Sequence, residues 1–216
     1  MKELYIIEKS YFDYVNKDAE VMILGITPGP NQAVNVEDAK RLSKKELKRK
    51  YAFSGTLMRK NLIDELNYIL LNKFLNIKDC KSLWEDDFSR VEMTSLLKNA
   101  VYKNNERKTP FNETQKINKN EQLKNEFENG FKNDCKKYKN LRIIIALGKK
   151  IKIIIDELQK EGIIDSSVKI LSIPHPSGGN NGQVSYFLGR SSNEKYNNET
   201  MKMFKESKKI IKKLIE

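Results

Sequence analysis

Val21-Met22-Ile23-Leu24-Gly25-Ile26-Thr27-Pro28-Gly29-Pro30 joins a run that belongs inside a protein to one that neither strand nor helix can continue. The four apolar residues Val21 to Leu24 read as a strand buried on both faces, the habit of parallel sheets covered by helices. Pro28 and Pro30 each lack an N–H, and Gly25 and Gly29 open backbone conformations closed to other residues. A buried parallel strand ending in such a loop places that loop at the carboxyl edge of a sheet. Open α/β sheets form their ligand crevices there. Taken alone, the segment also reads as an ordinary tight turn.

Toward the N-terminus, Leu4, Ile7, Tyr11 and Val15 share one face at helical spacing, which predicts an amphipathic helix over residues 2–17. Downstream, a polar, basic stretch from Asn35 to Lys50 leads to Tyr51-Ala52-Phe53-Ser54-Gly55. Leu62, Leu66, Ile69 and Leu70 then mark a helix from Thr56 to about Phe74. Ser89 to Leu97 reads as a second strand. A Lys- and Asn-rich loop from Lys98 to Asn120 follows, of the long kind that is often functional. Leu123, Phe127, Phe131, Cys135 and Tyr138 form a helical stripe over 121–138, so the Cys135 thiol reads as a buried structural one.

Leu141 to Leu147 is a third strand, ended by Gly148-Lys149-Lys150, and Ile151 to Leu158 opens another helix. Val168 to Ile173 is a fourth strand that stops at Pro174-His175-Pro176-Ser177-Gly178-Gly179-Asn180, and a final helix covers about 197–216. Strands alternating with helices predict an α/β fold, a three-layer α/β/α arrangement around a four-stranded, mostly parallel sheet. A single domain over 1–216 accounts for the whole length.

With 38% hydrophobic and 32% charged residues the chain describes a wet surface over a sizeable core. No apolar run approaches the ~20 residues that cross a bilayer. Met1-Lys2-Glu3-Leu4-Tyr5 lacks a secretory pattern. Cys80 and Cys135 are the only cysteines and His175 the only histidine, which predicts a reducing, cytoplasmic setting without metal, cofactor or disulfide framework. The formal charge of +12 suits a polyanionic partner. Only seven of the 41 cationic residues are Arg, however, and a general lysine bias would spread such charge over the whole surface.

Four strand ends, Gly25 to Pro30, Thr94 to Lys98, Gly148-Lys149 and His175 to Asn180, point at one rim. Together with Phe53-Ser54-Gly55, and in this order, they resemble the uracil-DNA glycosylase superfamily over roughly residues 20–185. Members have a G-x-N-P-G or G-E-A-P-G first loop, a T-N-x-x-K-type second strand, an L-G-K strand end and an H-P-S loop. The first and last loops look most like the single-strand-selective and mismatch-specific enzymes. The middle, with Lys98, a basic loop and Pro110, looks more like the thermophile-type iron–sulfur members, whose cluster cysteines this chain lacks.

The resemblance implies a uracil-DNA glycosylase-like fold, and a hydrolase of DNA repair that excises a uracil-type or modified base flipped from single- or double-stranded DNA. We expect it to act as a monomer. By the same resemblance His175 hydrogen-bonds the leaving base and Phe53 stacks on it, with Ile26 and Ser95 at the base pocket. Pro28, Gly29, Lys98, Lys149, Ser177, Gly178, Gly179 and Asn180 would meet the DNA backbone. Set against these roles, His175 also reads as a histidine satisfied by backbone, although its place as the only histidine, inside H-P-S, favours the functional reading. Phe53 reads equally as a core residue and each lysine as a solvated one.

Two departures stand against the matches. Thr27 replaces the water-positioning asparagine of G-x-N-P-G, and its hydroxyl orients water without acting as a base. Ser95 stands where T-N-x-x-K has asparagine. Glu37 and Asp38 either substitute for a missing carboxylate or are ordinary helix N-terminal acids. Asn31 and Gln32 are further candidates to hold water. The leading expectation is therefore an N-glycosylase in which His175 and Thr27 act on the bond. The alternatives are a weak or inactive DNA-lesion-binding member, and an enzyme of small nucleotides.

Overall fold

In a computed structural model of the chain, the described residues are 5–10, 14–29, 32, 36–103 and 110–216. Strand β2 (Val21–Gly25) is buried along its whole length and forms parallel ladders with β3 (Val91–Ser95) and β5 (Ile143–Leu147). A further parallel strand, β6 (Lys169–Ile173), completes a four-stranded sheet in the order β3-β2-β5-β6. Ile143, Ile144 and Ile145 are fully buried, and each such side chain contributes about 2–3 kcal/mol against the entropy of ordering the chain. Helices flank this sheet, making the three-layer α/β/α architecture that the alternating pattern predicts.

The helices follow in order. Short α1 (Val36–Arg41) and α2 (Lys44–Tyr51) occupy the polar stretch. Ser43 and Glu46 form a reciprocal capping box that starts α2. After them come α3 (Thr56–Tyr68) and α4 (Leu71–Phe74), divided by Leu70 in a left-handed conformation. Downstream lie α5 (Glu121–Phe127), α6 (Lys149–Lys160), α7 (Asn181–Phe187) and α8 (Glu199–Ile215). Helix α6 packs on β5 and β6, while α8 packs on β6 and α4. The Ser207 hydroxyl of α8 accepts from the Ser172 N–H and donates to the Ser172 carbonyl on β6. Among the described residues no helix is long and apolar enough to cross a membrane.

Three expectations need correction. The described part of 2–17 holds no helix: Tyr5–Glu8 is strand β1, paired antiparallel with β4 (Ala100–Lys103). Tyr5-Ile6-Ile7 suits a strand as well as a helix, and β4 supplies the partner that local spacing cannot reveal. Tyr5 packs edge-to-face on Phe111, with ring centroids 5.4 Å apart. Leu4 and Tyr11, which carried half of the helical stripe, lie outside the described residues. The segment from Lys98 to Asn120, read as one loop, contains β4 and a 3₁₀ turn at Thr114–Lys119. The single helix over 121–138 is instead α5, a wide π turn at Glu128–Lys132 and a 3₁₀ turn at Cys135–Lys137.

Candidate functional site

The carboxyl ends of β2, β5 and β6 open into one cleft of about 870 Å³. That volume lies within the range of small-molecule sites. Its wall takes Gly25, Ile26, Thr27 and Gly29 from the first loop, Phe53 to Gly55 before α3, Gly148 and Lys149 after β5, and His175 with Ser177 to Asn180 after β6. Segments far apart in sequence thus meet at one place. Pro28, Ser95 and Lys98 are not on this wall. With Gln32 and Phe53 they line a recess of about 10 Å³ behind it, room for about one water. Pro30 and Asn31 lie outside the described residues.

Gly25 sits in a crowded place. A Cβ there would lie 3.3 Å from Ser95 Oγ and 3.4 Å from the Phe53 ring. Phe53 takes φ of +50°, costly for an aromatic residue, and its surroundings hold it there. Its N–H donates to Gln32 Oε1 at 3.2 Å. The preceding carbonyl, of Ala52, accepts from Trp84 Nε1 at 3.0 Å and from Arg59 at 3.0 Å. The ring is 3% exposed, so Phe53 is a core residue that also forms part of the cleft wall. With Oε1 engaged, the Gln32 amide NH₂ has no partner among the described residues, beside both the cleft and the recess.

Thr27 is a latch. Its hydroxyl donates to the Asn99 carbonyl at 2.8 Å and accepts from the Val101 N–H at 3.0 Å, pinning the first loop to the entry of β4. The hydroxyl has one proton, and that proton is spent. Thr27→Val should leave a carbonyl and an N–H unsatisfied and cost about 1–3 kcal/mol. Thr27→Ser should recover most of it, both read by urea titration. An unchanged midpoint for the valine variant would refute the latch.

Lys98 is likewise committed: its stem crosses Gly130 and its ammonium meets Asp134 at 2.5 Å. Asn180 braces its own loop, its amide donating to the His175 carbonyl at 3.0 Å and to Gln183 Oε1 at 2.9 Å. Asn61 of α3 holds the same loop through the Pro176 carbonyl at 3.1 Å. Asp38 is bound by Lys50, Tyr51 and Arg41, which hold its carboxyl well below the usual range, and it does not line the cleft. Glu37 is exposed and also absent from the wall.

His175 is half-buried, and the loss of solvent pushes its pKa down from the usual imidazole value, so the ring is neutral near pH 7. Its Nδ1 accepts from the Ser177 N–H at 3.3 Å, which leaves the ring proton on Nε2. Lys149 and Lys150 stand exposed at the start of α6, whose N-cap Gly148 (φ 109°) brings no side chain to the first N–H groups. No carboxylate lines the cleft among its described residues. The site is therefore rich in hydrogen-bond donors and suited to an acceptor-rich or anionic ligand.

The sequence reading missed Leu57, Met58, Phe111 and Lys150 on the wall. Leu57 and Met58 follow Gly55 directly, and that adjacency was the available signal. Phe111 arrives through β4 pairing, donating its N–H to the Val101 carbonyl at 2.9 Å, and nothing local announces it.

A doubly covered parallel sheet with a cleft at its carboxyl edge defines the class of protein. In sequence the chain is similar to the uncharacterized protein YoxB of Bacillus subtilis (strain 168). The two are 25% identical over 195 residues, covering 86% of this chain and 75% of that protein. Comparison with protein-family models gives no match, and comparison with solved structures gives none either.

Proposed function

We propose that this chain is a DNA glycosylase-like hydrolase that receives a base extruded from DNA and cleaves its N-glycosidic bond, as its likeness to the uracil-DNA glycosylase superfamily implies. One observation carries the reading: the first loop, the Phe53 segment, the end of β5 and the His175 loop all line one cleft. In the reaction the C1′–N bond breaks, water supplies the oxygen that bonds C1′, and the base departs with the electron pair. Charge then develops on the base, where a donor fixed in advance is most effective. The neutral His175 ring, with its proton on Nε2, supplies that donor. Phe53 packs beside the base. The Gln32 amide takes over the water-holding role expected of Thr27, whose proton is engaged. Lys149 and the Ser177–Gly179 backbone meet phosphate.

The test is incubation with oligonucleotides carrying uracil, hypoxanthine or hydroxymethylated pyrimidine, followed by alkali to reveal abasic sites. Strand breaks at one base are expected, and His175→Ala should slow them by about 10²–10³-fold, the usual loss for one preorganised donor. Unchanged cleavage in that variant removes His175 from the chemistry.

A second reading, recognition of a lesion without turnover, is favoured by the lack of a carboxylate among the described residues of the wall. It predicts tight binding of one modified oligonucleotide and no abasic site.

A further inference from the structure

On α8, Lys202, Lys209 and Lys212 each pair with a glutamate of the same helix or its end, Glu199, Glu206 and Glu216 respectively. Lys205 and Lys208 do not. They stand over tyrosine rings instead, Lys205 at 4.7 Å from the Tyr186 centroid and Lys208 at 4.1 Å from that of Tyr68. Lys195 takes the same position over Tyr196 at 4.8 Å, and the Tyr186 and Tyr196 rings are 6.1 Å apart. Among the described residues no carboxylate lies within ion-pairing reach of these three ammonium groups. Cations held by ring faces keep their full charge for an outside anion, and their stems are already ordered.

The strip is continuous with the cleft. Tyr196 lies on the first turn of α7 because residue 182 is glycine, where a Cβ would overlap its hydroxyl. Two residues earlier, Asn180 lines the cleft. From that rim Tyr196 neighbours Tyr186 of α7, and Lys205 and Lys208, three residues apart on α8, stand over Tyr186 and over Tyr68 at the end of α3.

We propose that this lysine–tyrosine strip binds the phosphodiester backbone of the DNA strand running away from the extruded base. It rests on the cleft being a base site, and adds a backbone track that the cleft alone does not supply. Unneutralised lysines on one face, leading from a donor-rich cleft, match the regular negative charge of such a strand.

The test uses the full chain with Lys195, Lys205 and Lys208 all changed to Gln, and a second protein with all three changed to Arg. Fluorescence anisotropy measures binding of a labelled single strand of about 15 nucleotides, and of a trinucleotide too short to leave the cleft, across a salt series. For the longer strand the Gln variant should bind about tenfold or more weakly. Its slope of log affinity against log salt should fall by about 2, roughly 0.7 for each phosphate that the lysines no longer neutralise. The trinucleotide should bind as before, and the Arg variant should keep the slope. An unchanged slope, or an equal loss on the trinucleotide, overturns the proposal. Binding is read without excision, so the strip is tested even if the protein cleaves no base.

Discussion

Lys48→Met is expected to destabilise the protein by about 3–5 kcal/mol, and adding Glu92→Leu to recover most of that loss. Both side chains are about 1% exposed, and they form an ion pair between α2 and β3. The Lys48 ammonium also donates to the Tyr14 carbonyl at 2.6 Å, and the Asn16 N–H donates to Glu92 Oε2 at 2.8 Å. Burial pushes the lysine pKa down and the glutamate pKa up, and each partner's charge opposes that drift in the other. Removing one partner leaves a buried charge unmatched, whereas removing both leaves apolar side chains in an apolar place. Urea titration of the two single variants and the double variant measures the coupling. Losses that simply add would show that the pair is not a unit. The effect should reach the cleft, because α2 ends where the Ala52 N–H donates to the Lys48 carbonyl, one residue before Phe53.

Glu65 makes the second large prediction. It is fully buried on α3, and among the described residues neither carboxyl oxygen has a hydrogen-bond partner. Burial, helped by the Asp64 charge, pushes its pKa up to about 9. The folded protein therefore keeps this proton while the unfolded chain gives it up near the ordinary glutamate value of 4.5. The unfolded state binds fewer protons between those two values, so stability falls as pH rises from about 4.5 to about 9. At pH 7.5 the accumulated cost is about 4 kcal/mol, from about three pH units at 1.4 kcal/mol each. Glu65→Leu should abolish that slope and raise Tm by about 10 °C at pH 7.5. Glu65→Gln should flatten the slope with a smaller gain, since its amide also lacks partners. Thermal unfolding of the parent that is flat between pH 5 and 8 would show that Glu65 is ionised in the fold.

The sheet was legible because β2, β5 and β6 announce themselves as short apolar runs ended by Gly or Pro. Their loops were legible for the same reason, and a parallel sheet brings all such loops to one edge. Elements whose stability lies outside themselves were hidden. Strand β1 exists through β4, and α1 and α2 carry polar sequences whose one local signal, Ser43 with Glu46, is a cap. Hydroxyl and ammonium commitments were hidden too. Nothing near Thr27 predicts that residues 99–101 take its hydrogen bonds, and nothing near Lys98 predicts that its stem passes Gly130 to reach Asp134. Residue type placed these groups near the site, and long-range pairing decided which remain available to a ligand.

The Ser207 hydroxyl answers both the N–H and the carbonyl of Ser172, doing for the outermost strand what another strand would do. Invasion by a foreign extended peptide at that margin must first break both bonds and lift α8 away. Ser207→Ala would bare the pair and open this margin to fibril-like stacking during refolding.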